Sequence, residues 1–374
     1  MLRYSLPRVT KRGYGLGNEM IPWARAFLAA RLLGARLLTP AFALNRRGYW
    51  RHFQTPLDDW IQHRVIERLL PTIEFTEADY LEFGGDDLLA ALRGFAAQHR
   101  LYTREAYVLT TSGMWGGLRH VAPARDFMRS TLYLSRFAAG NLLNLQTRIS
   151  PEKILVGMHV RLGDFRPAGE LGDFGKVANM SLPLAWFQNI AASLTVMFGD
   201  ALQVLLVSDG SPEQLRPLTS SVPCLTTWDL PNSDCSDLLA LANSDLIVCS
   251  ASTFSSLAAF ISDSPYLCFA PNLTLHPEGC YSMGDFSHAQ GAELKATAAA
   301  VAGFAATPSV WLPRGFAVEL DGVLPPGLEH AIAVRRARRQ WRFDLASHGV
   351  CPSGGASPSG VVSPDSMSPA LRLP

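Results

Sequence analysis

No uninterrupted stretch of about 18 apolar residues occurs in the sequence, so no segment reads as a membrane-spanning helix. The opening residues, "MLRYSLPRVTKRGYGLGNEM", lack the continuous apolar centre of a secretory leader, and the expectation is a soluble chain. Cysteine is scarce and poorly placed for cross-linking: Cys224, Cys235, Cys249, Cys268, Cys280 and Cys351 form no C-x-x-C pair and no regular framework. That argues against a secreted disulfide scaffold and predicts a reducing, cytoplasmic compartment. An excess of one charge is missing too, since 33 basic side chains face 32 acidic ones. Nothing global steers the protein to nucleic acid, and any anion site has to be built locally. There is no internal repeat.

What is present is apolar material for two cores, 48% of 374 residues. From residue 151 onward strand and helix signals alternate as successive βαβ units. "ILVGMHV", "LQVLLVSDG", "PCLTTWDL", "DLIVCS" and "YLCFAP" read as strands of a parallel sheet of about five. Helices are predicted at "SLPLAWFQNIAASLTVMF", with Ser181 as N-cap and Pro183 in the first turn, at "DLLALANS", and from "TFSSLAAFI". The first half is less regular. "NEMIPWARAFLAARLLG" predicts an amphipathic helix capped by Asn18 and closed by Gly34, followed by a short strand, "ARLLTP". A first strand falls within residues 2 to 9, weakened by Pro7, and residues 45 to 150 show helical periods but no sheet. The expected domains are 1–150 and 151–327, followed by a basic helix at 328–348 and a tail at 349–374. Residues 351 to 374 contain 14 Pro, Gly or Ser, a composition that favours disorder.

In an open parallel sheet, ligands bind beyond the carboxyl ends of the strands. Four polar stretches fall at such ends: "HVRLGD" (159–164), "SDG" (208–210, containing Asp209), "WDL" (228–230) and "CSASTFSS" (249–256). Charged groups are seldom buried unless paired, so His159, Arg161 and Asp164 together point to solvent or to a charged ligand. In the last stretch, small hydroxyl residues turn the chain into a helix with free N–H groups, a phosphate site to which Ser255 and Ser256 would donate. The plainer reading is capping by Ser252 or Thr253. Arg161 favours the anion, because its planar fork suits phosphate oxygens. "SDG" or "WDL" alone needs no more than a polar turn. The glycines Gly13, Gly15 and Gly17 are likewise explained by a tight turn with positive φ.

"GMHVRLGD" resembles the H-x-R-x-G-D-type motif of the fucosyltransferase superfamily. "SDLLALANSDLIVCSASTFSS" resembles its later donor-site motif: two aspartates eight positions apart, Asp237 and Asp245, then a strand and the turn Thr253, Phe254, Ser255, Ser256. "GYGLGNEM" is similar to the Gly-Gly-Leu-Gly-Asn-Gln loop of α-1,2-fucosyltransferases, with Gly15, Gly17 and Asn18 in place and Glu19 where Gln is usual. The resemblance implies an α/β GT-B glycosyltransferase: two Rossmann-like domains facing a cleft, GDP-fucose held by the carboxyl-terminal one, and inverting transfer to a hydroxyl of a glycan acceptor. It implies that Arg161 binds the β-phosphate, that His159 contacts the nucleoside, and that Asp237 accepts from guanine N1–H and N2–H. Ser255 and Ser256 would complete the phosphate cradle. Leu162 stands where a second arginine is common.

The chain has no D-x-D pair, so protein groups alone would neutralise the leaving diphosphate, and no metal or other cofactor is expected. Candidate bases for the acceptor hydroxyl are Glu19, Asp164 and Asp173, with Glu19 preferred because it lies on the opposing domain's loop. Two rivals stay open: a transferase for another nucleotide-sugar, against which Asp237 argues, and a non-catalytic GDP-sugar or glycan binder, which Leu162 favours. Finally, Arg335, Arg336, Arg338, Arg339 and Arg342 share residues 328–345 with Ile332, Val334, Trp341 and Phe343. That helix either packs its apolar side on the protein or contacts the inner membrane face peripherally.

Overall fold

A computed structural model describes residues 1–9, 14–42, 46–53, 57–84, 87–115, 117–167, 180–270 and 314–338. The chain first forms β1 (Leu2–Pro7), α1 (Leu16–Leu33), β2 (Arg36–Leu37), α2 (Trp50–Phe53), α3 (Leu57–Leu69) and β3 (Thr72–Glu74). There follow α4 (Glu77–Phe83), α5 (Leu88–Gln98), β4 (Ala106–Thr111), α6 (Arg125–Tyr133) and α7 (Ala138–Arg148). The second part contains β5 (Ile154–Val160), β6 (Arg166–Pro167), β7 (Met180–Ser181), α8 (Leu184–Phe198), β8 (Leu202–Ser208), α9 (Pro212–Thr219) and β9 (Cys224–Thr226). It closes with α10 (Asp234–Ala242), β10 (Leu246–Val248), α11 (Thr253–Ile261), β11 (Tyr266–Phe269), β12 (Gly315–Val318) and α12 (Leu328–Arg338).

Among the described residues two larger parallel sheets and a two-stranded parallel pair, β6-β7, result, in the α/β arrangement expected. The first has four strands in the order β2-β1-β4-β3, where the sequence showed no sheet. Its outer strands have two and three residues, too short to display an alternation. Pro7 ends β1 opposite Thr111 instead of breaking it. The second sheet has six strands, β12-β11-β10-β5-β8-β9, one more than the five expected. The extra strand, "GFAV", is only four residues long.

β5 lies inside the second sheet. The chain adds β8 and β9 on one side of it, then crosses over to place β10, β11 and β12 on the other. Trp186 and Phe187 of α8, Leu215 of α9, and Leu328 and Ile332 of α12 pack with Val156 and Met158 on one face. Leu238 and Leu241 of α10 and Leu257 of α11 pack with Leu155 and Leu205 on the other. That second face belongs to a core which runs without interruption into the first sheet's helices. α6 and α7, assigned by sequence to the first domain, pack on α10, so they form a layer between the sheets.

Two helix starts differ from expectation. α1 begins at Gly15, not Asn18, and its Leu16 N–H donates to the Tyr49 hydroxyl at 2.8 Å. Gly34 closes it at φ 61° as expected. The helix is not amphipathic: 15 of its 18 residues are buried, because it lies between the first sheet and α6 and α11. Phe27 stacks on Phe127 of α6 at 4.1 Å. α8 starts after Pro183, while Ser181 belongs to β7 and caps nothing.

The carboxyl end of α11 is ringed by arginines. Arg125 donates to Phe260 O at 2.7 Å and Ser262 O at 2.6 Å, and Arg314 donates to Ser262 O at 2.5 Å and Ser264 O at 3.1 Å. Arg335 of α12 reaches Ser264 Oγ at 2.9 Å. Cations there complement the helix's negative pole. Leu328 and Ile332 turn the apolar side of α12 onto the protein, as the packing alternative required. Arg339, Trp341, Arg342 and Phe343 lie outside the described residues. Among those described, no helix is long and apolar enough to cross a membrane.

Asp245 ties the amino ends of β5 and β10 together: its Oδ2 accepts the Leu155 N–H at 2.8 Å, and its own N–H donates to Leu155 O at 2.7 Å. Asp245→Ala leaves a buried N–H without that acceptor and should cost about 1–3 kcal/mol, read as a lower urea midpoint at unchanged slope.

Candidate active site

Because β10 lies beside β5 while the helices that follow the two strands cover opposite faces, a crevice opens between their carboxyl ends. Ser250 closes its floor. The Ser250 hydroxyl donates to His159 O at 2.7 Å and accepts the Arg161 N–H at 2.9 Å, and its N–H donates to Ser255 Oγ at 3.1 Å. His159 Nδ1 lies 2.5 Å from Ser255 Oγ, and its ring sits 4.9 Å from that of Phe254. Ser255 Oγ thus accepts the Ser250 N–H and also shares a hydrogen bond with the imidazole. Burial, aided by the Arg161 charge, pulls the His159 pKa down to about 3, so the ring is neutral at physiological pH.

Ser255 and Ser256, expected to donate to a phosphate, are both fully buried, and Ser256 donates its hydroxyl to Ser252 O at 3.1 Å. Ser255 Oγ meets His159 Nδ1 and the Ser250 N–H, so both hydroxyls have partners within the protein. Ser252 caps α11 by accepting the Phe254 N–H at 3.3 Å, as the plainer reading had it. Toward the rim α11 presents its positive pole, with Thr253 as its first residue.

Arg161 is the central charge. Its Nη2 pairs with Asp164 Oδ1 at 2.5 Å and its Nη1 with Asp209 Oδ2 at 2.5 Å, while its buried Nε has no partner. Asp209 is more than a polar turn: its Oδ1 accepts the N–H groups of Leu162 at 2.9 Å and Gly163 at 3.1 Å. A Cβ on Gly163 would meet Asp209 Oδ2 at 2.1 Å, which explains the glycine. Asp164 also pairs with Arg47 Nη2 at 2.8 Å. Its burial would raise its pKa, but Arg161 and Arg47 hold it below the usual carboxylate range. That makes it a poor base for an acceptor hydroxyl.

The other side of the crevice comes from the first domain. A Cβ on Gly17 would lie 2.5 Å from the Thr253 carbonyl oxygen, so the amino ends of α1 and α11 abut there. Close approach is the reason for this glycine; Gly15 has φ −61°, and Gly13 lies outside the described residues. Glu19 is 2% exposed inside α1, and the buried Oδ1 of Asn18 has no partner. Asp173 is outside the described residues.

Asp237 lies in the first turn of α10, which follows β9 and therefore starts on the same rim. Ser233 donates to its Oδ2 at 2.7 Å, while its buried Oδ1 has no partner in hydrogen-bond geometry, the Thr227 hydroxyl lying near the carboxylate without such a bond to that oxygen. Burial raises its pKa to about 7; the hydroxyls of Ser233 and Thr227 oppose that rise and Asp234 adds to it. Asp245 sits at the opposite, amino-terminal edge of the sheet.

Two arginines were missed. Arg47 stands in "NRRGYW", ten residues beyond the end of β2, where no local pattern marks it. Arg25, buried in α1, donates to Thr111 Oγ1, Ser112 O, Gly113 O and Trp115 O, with its guanidinium 3.4 Å from the Trp115 ring centre. It thereby pins the loop after β4 at the first sheet's rim. Burial lowers its pKa to about 9. Its apolar neighbours in sequence hid it.

No family model matches the chain, and no curated protein matches it. Among solved structures, it is similar to POFUT1 in complex with GDP-fucose, at 12% identity over 70% of this chain and 95% of that one, with a TM-score of 0.44. It is also similar to POFUT1 in complex with GDP, at 13% identity over 71% and 97%, TM-score 0.41. The fucosyltransferase NodZ from Bradyrhizobium is similar at 15% identity over 70% and 94%, TM-score 0.43. Likenesses this distant assign no residue, and the functional reading rests on the site's own chemistry.

The contact between Gly17 and Thr253 is directly testable. Gly17→Ala must push the two helix ends apart, and overpacking of this kind should destabilise the protein by about 1–3 kcal/mol in urea unfolding, against a smaller change for Gly15→Ala.

Proposed function

We propose that the chain is a glycosyltransferase that takes a GDP-sugar, the sequence resemblance naming GDP-fucose, and passes the sugar with inversion to a hydroxyl of a glycan. One observation carries this reading: the rim holds a buried acceptor without a donor, Asp237 Oδ1, and a buried donor without an acceptor, Arg161 Nε. The ligand that satisfies both has hydrogen-bond donors at one end and an anion at the other. β8 alone separates β5 from β9, so their ends lie about 10 Å apart at ordinary strand spacing, within reach of an extended nucleoside diphosphate.

Guanine offers N1–H and N2–H to a carboxylate, whereas adenine and uracil leave a buried acceptor unmatched. Neutral His159 contributes a polar contact without adding charge. As the bond from sugar to diphosphate breaks, charge grows on the β-phosphate, where Arg161 and the positive pole of α11 act most strongly. These residues supply leaving-group stabilisation more than proton abstraction, and the reaction is proposed to run without metal.

Titration calorimetry with GDP, ADP and UDP tests the donor: GDP should bind preferentially, and Arg161→Ala should weaken it by about 2–3 kcal/mol. Equal affinity for the three nucleotides, or unchanged GDP affinity in folded Arg161→Ala, would refute the assignment. Transfer from GDP-fucose should persist in excess EDTA.

A pH dependence follows from Asp237. Guanine binds its ionised form, and a pKa near 7 leaves much of it protonated below neutrality. GDP affinity should therefore rise between pH 6 and pH 8 and level off above, and Asp237→Asn should flatten the profile. His159, titrating near pH 3, contributes nothing in that window. A flat wild-type profile excludes Asp237 as the base reader.

A further inference from the structure

Arg161, Asp164 and Asp209 alone are one cation with two anions, a cluster that repels phosphate. Arg47, from the loop after β2 in the other domain, brings the count to neutrality by sharing Asp164. The two carboxylates are not alike. Asp209 is built in, its Oδ1 held by two backbone N–H groups. The Asp164 side chain is 58% exposed, and its contacts in the described structure are two guanidiniums, one on each oxygen.

We propose that Asp164, bridging Arg161 and Arg47, holds the place that the ligand's distal phosphate takes, and that Arg47 is a second phosphate-binding cation delivered from across the seam. The inference rests on the nucleotide-sugar reading. Two oxygens of one anionic group, bridging Arg161 and Arg47, describe the carboxylate now present and equally a terminal phosphate. On binding, the phosphate takes both guanidiniums and Asp164 turns to solvent, which its exposure permits. Loss of one carboxylate from the cluster changes its charge from zero to plus one, the sign a diphosphate needs. Leu162 carries no charge, whereas Arg47, already paired with Asp164, brings one from across the seam.

The test compares GDP with GMP, which lacks the distal phosphate, by calorimetry on the full chain. Arg47→Gln should weaken GDP about tenfold, the scale of one charge-assisted hydrogen bond, and leave GMP nearly unchanged. Asp164→Asn, which removes the competitor but keeps its shape, should tighten GDP. Opposite signs support the proposal. If Arg47 merely fastened the domains through Asp164, both substitutions would weaken GDP and GMP alike, and that result overturns it. Should Arg47→Gln fail to fold, Asp164→Asn decides alone, since unchanged or weaker GDP binding is fatal. Absence of GDP binding by the unaltered chain overturns the proposed function and this inference with it. GDP binding that ignores both substitutions overturns only this inference.

Discussion

Two positive helix poles, those of α1 and α11, are pressed together where Gly17 meets the carbonyl of Thr253. Like poles do not seek each other. They are held there by the apolar layer behind them, in which Trp23 and Phe27 of α1 meet Phe127 of α6, and α6 in turn meets α10 and α11. The seam between the sheets is thus glued by side chains with no stake in the ligand, and the electrostatic mismatch is left at the rim. That division makes the rim receptive to an anion.

The groups on the rim avoid uncompensated buried charge in two different ways. Arg161 keeps its charge and is paired twice. His159 gives its charge up, and Asp237 sits near the balance point between its two forms. Pairing and neutralisation are the two ways a poorly solvated ionisable group becomes tolerable. The unpartnered Nε of Arg161 and Oδ1 of Asp237 are what neither way satisfied, and they mark where a ligand has most to offer.

Much of the second sheet was legible because its strands are continuous apolar runs ending in polar turns, the pattern of a parallel sheet buried on both faces. "ILVGMHV" is β5 from end to end. The first sheet was hidden because β2 and β3 are too short to carry a period. In the site, His159 and Arg161 could be read from their place at the end of β5, whereas Asp237 came only from the resemblance of its motif. The fates of Ser255 and Ser256 could not, since a hydroxyl turned inward and one turned outward share the same sequence. Arg47 escaped because its importance depends on a partner 117 residues away.

The arginines around the carboxyl end of α11 come from three separate parts of the chain and converge on one turn. Arg125 opens α6, Arg314 precedes a strand that pairs with β11 in register, and Arg335 lies in α12. Residues 260–264 are therefore a common anchor for the helix layers on the two faces of the second sheet. Because α11 is only nine residues long, holding that end also sets the direction of its amino end, so these arginines aim the helix at the rim from its far side.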